Sequence, residues 1–144
     1  MNKTAVCGAL AVALFAAPAT AQSWQVVARS DIRTYLISLD ELTVTDGLAA
    51  AQVATVPRRG EASDYAHSVS AYEVRCGQDR WRIATVTEYG GDGARADVFA
   101  ESEDWEAIRP QSQAELIKMV ACDNHRSQGA LFDSVRAYID AGRP

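Results

Sequence analysis

From Trp24 to Ala100 the apolar positions come in short runs with a period near two, and after Ser112 the spacing turns helical. Trp24 to Ala28 and Ile32 to Leu39 carry aromatic and β-branched residues and predict two strands, the second closed by Asp40 and Glu41. Asp46 and Gly47 mark a tight turn, Leu48 to Val56 predicts a third strand ended by Pro57, and Arg58 to Asp64 is a polar surface loop. Ser68, Ser70, Tyr72, Val74 and Cys76 alternate with Val69, Ala71, Glu73 and Arg75, so Tyr72, Val74 and Cys76 share the face that meets a core. Trp81 to Tyr89 and Ala94 to Ala100, joined by Gly90, Gly91, Asp92 and Gly93, predict a hairpin.

Ser112 and Glu115 form an S-x-x-E capping box and start a helix with Gln113, Leu116, Ile117 and Val120 within one arc. Cys122 falls outside that arc, at a fraying end from which it can turn toward Cys76. A second helix is predicted from about Ser127 to Ala141, with Leu131, Phe132, Val135, Tyr138 and Ile139 on one stripe and Gly142 at its terminus. Strands followed by helices predict an α+β fold: an antiparallel sheet of about five to six strands with the C-terminal helices packed on one face.

Ahead of the sheet, Lys3 precedes a small apolar run from Thr4 to Ala17, Pro18 breaks it, and Ala19, Thr20 and Ala21 supply a small-x-small cleavage pattern. Residues 1–21 therefore read as a signal peptide cleaved after Ala21, too short to span a bilayer, and 22–144 as a single domain without a membrane span. The expected location is the periplasm or the extracellular cell surface. Cys7 lies near the start of the apolar run instead of following it, so cleavage there would leave no signal core, and it is not read as a lipid-anchor cysteine. Export leaves Cys76 and Cys122, expected to pair in an oxidising compartment. Closing a loop of about 45 residues is worth about 4 kcal/mol by chain entropy. The competing reading, a zinc site from Cys76, Cys122, His67 and His125, lacks the close paired spacing of metal ligands.

A formal net charge of −5 with no basic stripe argues against nucleic-acid binding, and 48% hydrophobic with 23% charged residues fits an ordinary globular domain. Nucleophilic catalysis needs a base beside the nucleophile, yet His67 and His125 stand apart and read as exposed polar residues. The G-x-S-x-G, H-E-x-x-H and P-loop patterns are absent. Glu101, Glu103, Asp104 and Glu106 surround Trp105 without a calcium-loop glycine, and read as a solvated loop with one apolar anchor. The expectation is a protein that is not an enzyme, with no cofactor and no metal. Its candidate contact residues are Arg58 and Arg59 in the polar loop and Glu103 and Asp104 beside Trp105. An unprotected edge strand would also template a second copy, giving a homodimer.

The order of Trp24, Tyr35 with Asp40, the strand Ser68 to Cys76, Trp81 with Arg82, and Tyr89 resembles the surface-adhesin protein E family. The likeness covers roughly 24–122 and rests most on Y-E-V-R-C, on W-x-x-I-x-P-x-S from Trp105 to Ser112, and on L-x(5)-C from Leu116 to Cys122. It implies an antiparallel sheet packed on a helix, a disulfide between the two cysteines, and a role in binding proteins; the adhesin that names the family is a surface lipoprotein that binds host matrix proteins and plasminogen. The chain departs from that adhesin in having no lipobox and in the additional helix, about 127–141. Two readings follow. One is a non-enzymatic envelope module that binds an extracellular or envelope protein. The alternative is a periplasmic inhibitor of a hydrolase such as lysozyme, which would need a protruding loop, and only Pro57 to Ala66 is long enough.

Overall fold

The computed structural model describes residues 23–101 and 104–144; the expected leader and Glu103 lie outside the described residues. Strands β1 (Trp24–Arg29), β2 (Arg33–Ser38), β3 (Thr43–Thr45), β4 (Leu48–Pro57), β5 (His67–Arg75), β6 (Arg80–Tyr89), β7 (Arg95–Ala100), β8 (Glu106–Ala107) and β9 (Leu131–Phe132) join two helices, α1 (Gln113–Ala121) and α2 (Val135–Asp140). The sheet runs β7-β6-β5-β4-β2-β1-β9, with β3 added on β4 and β8 on β6. Each pairing is antiparallel. The sheet thus has nine strands among the described residues, not five to six. The additional strands are too short for an apolar period to register: β3 has three residues, all exposed, and β8 and β9 have two each.

β4 organises the core because it is apolar on both sides, the signature of a strand buried on two faces. Ala49, Ala51 and Val53 point one way and pack with Ile37, Tyr72, Val74 and the α1 residues Ile117, Val120 and Ala121. Ala54 and Val56 join Trp24 and Leu36 beneath the α2 residues Val135, Tyr138 and Ile139. The register places Ile37, Val53 and Ser70 in one cross-strand row and Leu36, Ala54 and Val69 in the next, so the two clusters lie on opposite faces. The expectation of both helices on one face is therefore corrected. Each helix covers a different end of the sheet as well as a different face, since α1 sits over the first half of β4 and α2 over the second.

The capping box forms with a twist: Ser112 Oγ accepts from the Glu115 amide, while Glu115 Oε2 accepts from Gln111 N, one residue earlier than the usual partner. The buried residues of α1 are Ala114, Ile117, Val120 and Ala121, and Leu116, expected inside, is 37% exposed. α2 is shorter than expected. Ser134 caps it by accepting from the Ala137 amide, and Leu131 and Phe132 leave the anticipated helix to pair with Gln25 and Trp24. Phe132 still meets Tyr138 edge-on at 5.1 Å, which keeps it on the anticipated apolar stripe, but Leu131 is exposed. Gly142 follows the helix with φ +85, the left-handed conformation that suits a helix end.

Cys76, just past β5, and Cys122, the residue capping α1, form a disulfide with Cα atoms 5.6 Å apart. The bridge ties α1 to the face it covers and removes both sulfurs from any metal site. No helix among the described residues is long and apolar enough to cross a membrane.

Candidate functional site

Covering opposite faces at opposite ends leaves part of each face bare. On the α2 face, beyond the end of that helix, β4, β5 and β6 present Gln52, Glu73, Arg75 and Arg82, all half-buried. Glu73 stands opposite Arg82 in the register and accepts from its Nε at 2.6 Å. Such a half-exposed pair adds little stability but holds both side chains in place. Trp105 reaches this surface because β8 docks on the edge of β6, pairing Glu106 with Trp81, and Arg80 Nη1 donates to the Trp105 carbonyl oxygen at 3.0 Å.

Two guanidinium carbons then lie over the Trp105 ring, that of Arg75 at 4.1 Å from the centroid and that of Arg82 at 4.6 Å. Cation–π attraction of this kind contributes about 0.5–1 kcal/mol per pair at exposed sites. Arg82 is neutralised by Glu73, whereas among the described residues Arg75 donates to the neutral Gln78 Oε1 at 3.2 Å. Beside the indole runs an open groove of about 530 Å3, bordered by Leu48, Arg75, Gln78 and Arg82. An aromatic ledge, a cation with no carboxylate partner among the described residues and a polar ion pair suit contact with a surface that carries acidic and apolar groups together.

The expected contact residues fall in two separate places. Asp104 is exposed beside Trp105, near the start of β4, whereas Arg58 and Arg59 follow its last residue, Pro57. At roughly 3.3 Å per residue the ends of that strand are about 30 Å apart. Arg58 Nη1 donates to Ser30 O at 3.1 Å, which anchors it to the β1–β2 turn, and Arg59 is exposed. Arg75, Arg82 and Glu73 were missed as site residues: the alternation of β5 puts Glu73 and Arg75 on the face opposite Tyr72 and Val74, but only the register brings Arg82 and Trp105 to them.

The loop from Pro57 to Ala66 does not stand free. Arg143 donates to the carbonyl oxygens of Glu61 and Asp64, Tyr65 Oη donates to Asp140, and the Arg136 guanidinium lies 3.9 Å from the Tyr65 ring centroid. His67, expected to be exposed, is half-buried and stacked on Tyr89 with centroids 4.4 Å apart. Its Nδ1 lies 2.7 Å from Tyr65 O and must donate to it, because a carbonyl can only accept. Burial pushes the His67 pKa down, partly opposed by that hydrogen bond and by Glu88. Ser68 and Ser70 occupy the other side of β5, as strand alternation requires, and His125 is exposed past the end of α1.

Neither a curated protein nor a solved structure matches the chain. The family model described as surface-adhesin protein E matches residues 24–123, from the first residue of β1 to just past the bridged Cys122. That span takes in the sheet core, the Trp105 surface and α1, and leaves β9 and α2 outside it; the chain belongs to the surface-adhesin protein E family.

Proposed function

We propose that the protein is an exported, non-enzymatic module of the cell envelope that binds another protein through the Trp105 surface. Membership of an adhesin family and the Cys76–Cys122 disulfide suggest export and a binding role. The observation that carries the surface assignment is Trp105 held by Arg75 and Arg82 on a bare part of the sheet, next to an open groove. Tryptophan and arginine are the residues on which interface energy most often concentrates. Asp104 lies on the rim of the same surface, while Arg58 and Arg59 would serve a second contact at the far end. Cleavage after Ala21 and release to the periplasm or cell surface complete the proposal, and the outer edge of β7, exposed along all six residues, is where a homodimer would form.

We place the inhibitor reading second, because the loop it would insert into a cleft is bonded to the C-terminal segment through Asp64 and Tyr65. The test is capture from envelope extract and from purified matrix proteins on immobilised mature chain and on its Trp105→Ala variant. A partner kept by the first and lost by the second is the expected result. Equal retention by both would remove Trp105 from the interface, and stoichiometric inhibition of lysozyme would replace the adhesive reading.

A further inference from the structure

A cavity of about 90 Å3 lies between β1 and α1, on the face of the sheet that α1 covers. Gln25 and Val27 form its sheet side, since Gln25 stands opposite Ile37 in the register and Val27 packs on the α1 cluster. Leu116, Met119 and Val120 form its helix side, at the i, i+3, i+4 spacing that sets three side chains on one stripe. Past the helix, Asn124 takes a left-handed φ of +54 and turns the chain back, so that His125 N donates to Met119 O at 2.9 Å. That turn brings His125 to the cavity that Met119 already lines.

A second observation points to a guest. Gln25 is 1% exposed, and its Oε1 has no hydrogen-bond partner among the described residues. The amide cannot be turned round, because Nε2 donates to Ser127 O at 2.9 Å and a carbonyl oxygen only accepts. A buried acceptor left bare is costly, so the site calls for a donor or a positive charge. A cavity of about 150 Å3 takes a benzene ring, so this smaller one suits a single ion better than an organic molecule.

The donor atoms select the ion. The lining side chains offer a thioether sulfur, an imidazole nitrogen and an amide oxygen, and no carboxylate. Calcium and magnesium need a shell of oxygens, and zinc needs four strong ligands, whereas thioether and imidazole together suit copper(I). The Arg126 guanidinium, which donates to Val120 O and His125 O at 2.9 Å, adds a nearby positive charge that disfavours a doubly charged ion. With Cys76 and Cys122 bridged, Met119 carries the one remaining sulfur in residues 22–144.

We propose that Gln25, Met119 and His125 form a binding site for a soft, singly charged metal ion of the copper(I) and silver(I) class. Met119 Sδ and a ring nitrogen of His125 are the strong donors, and Gln25 Oε1 is a weak third. The expectation of no metal rested on cysteine, histidine and carboxylate spacing, a count in which methionine has no place. The site lies on the face opposite Trp105 and does not rest on the protein-binding reading.

Met119 is the sole methionine of residues 22–144, so its methyl group gives one NMR signal, and His67 serves as an internal control. The probe is silver nitrate, titrated into the disulfide-bonded mature chain in chloride-free buffer. A saturable one-to-one shift of the Met119 methyl, the His125 ring and the Gln25 side-chain amide is expected, with His67 unmoved. Met119→Leu, close in volume, and His125→Ala, at an exposed position, should each weaken binding at least tenfold with circular dichroism unchanged; if the first misfolds, the second decides. Zinc sulfate should leave the Met119 methyl where it is. A shift confined to His125 marks an ordinary exposed histidine and overturns the proposal. An equal response of the Met119 methyl to zinc, or undiminished silver affinity in His125→Ala, overturns it as well.

Discussion

Arg143 Nη2 lies 2.6 Å from the carbonyl oxygen of Asp64, a contact between positions 79 residues apart that joins the chain's C-terminal segment to the β4–β5 loop. The same guanidinium reaches Glu61 O at 3.3 Å, so a planar fork satisfies two carbonyls at once. Arg143→Ala should raise amide exchange across residues 58–66 while costing about 1–2 kcal/mol in urea unfolding. Arg143→Lys should restore only part of the protection, because an ammonium cannot reproduce the fork. Unchanged exchange in both variants would mean that the Arg143 contacts do not hold the loop.

Removing the disulfide with Cys76→Ala and Cys122→Ala together should cost about 2–5 kcal/mol, read as a lower urea midpoint. Reductant should destabilise the native protein by a similar amount and leave the double variant unaffected.

Ile117 and Ile139 are both fully buried, one under each helix and on opposite faces. Ile117→Val and Ile139→Val should each cost about 0.5–1.5 kcal/mol. The double variant should match the sum within about 0.5 kcal/mol, because the two sites share no partner. Strong coupling in that cycle would place both helices on one core.

The pKa of His67 is lowered in the folded state, so the unfolded chain binds more protons below the ordinary histidine value of about 6.5. Stability should therefore be fully present above that pH and decline as pH falls through the window toward the lowered value. His67→Phe keeps a ring against Tyr89 and cannot protonate; its thermal midpoint should fall less between pH 7.5 and 5. Parallel curves for the two proteins would show that His67 is not the titrating group.

Much of the fold is legible in local pattern. The long strands, the Ser112 cap, the Asp46-Gly47 turn and the cysteine pair each rest on residues that act on near neighbours or on a simple count. The placement of α2 was not legible by the same means. Val135, Tyr138 and Ile139 announce an apolar stripe, yet nothing in their spacing says which face of the sheet receives it. The informative signal lay in β4, where Ala49, Ala51 and Val53 alternate with the equally apolar Ala50 and Ala54, a run that asks for cover on both sides. β9 was hidden for another reason: two residues in strand pairing leave no period, and Leu131 and Phe132 fit a helical stripe equally well. The candidate site was half legible. Trp105 stood out as the single apolar residue in an acidic run, but Arg75 and Arg82 meet it only through register.

Because β1 finds Phe132 in β9, and Arg29 finds Pro144, 115 positions further on, the first strand of the described sheet is completed by residues made much later. Trp24 and Leu36 lie beneath Val135 to Ile139, so until that segment is made the nascent chain carries an unfinished apolar face. The sheet stays open on that face until the α2 segment arrives, and that arrival sets the moment at which the face closes.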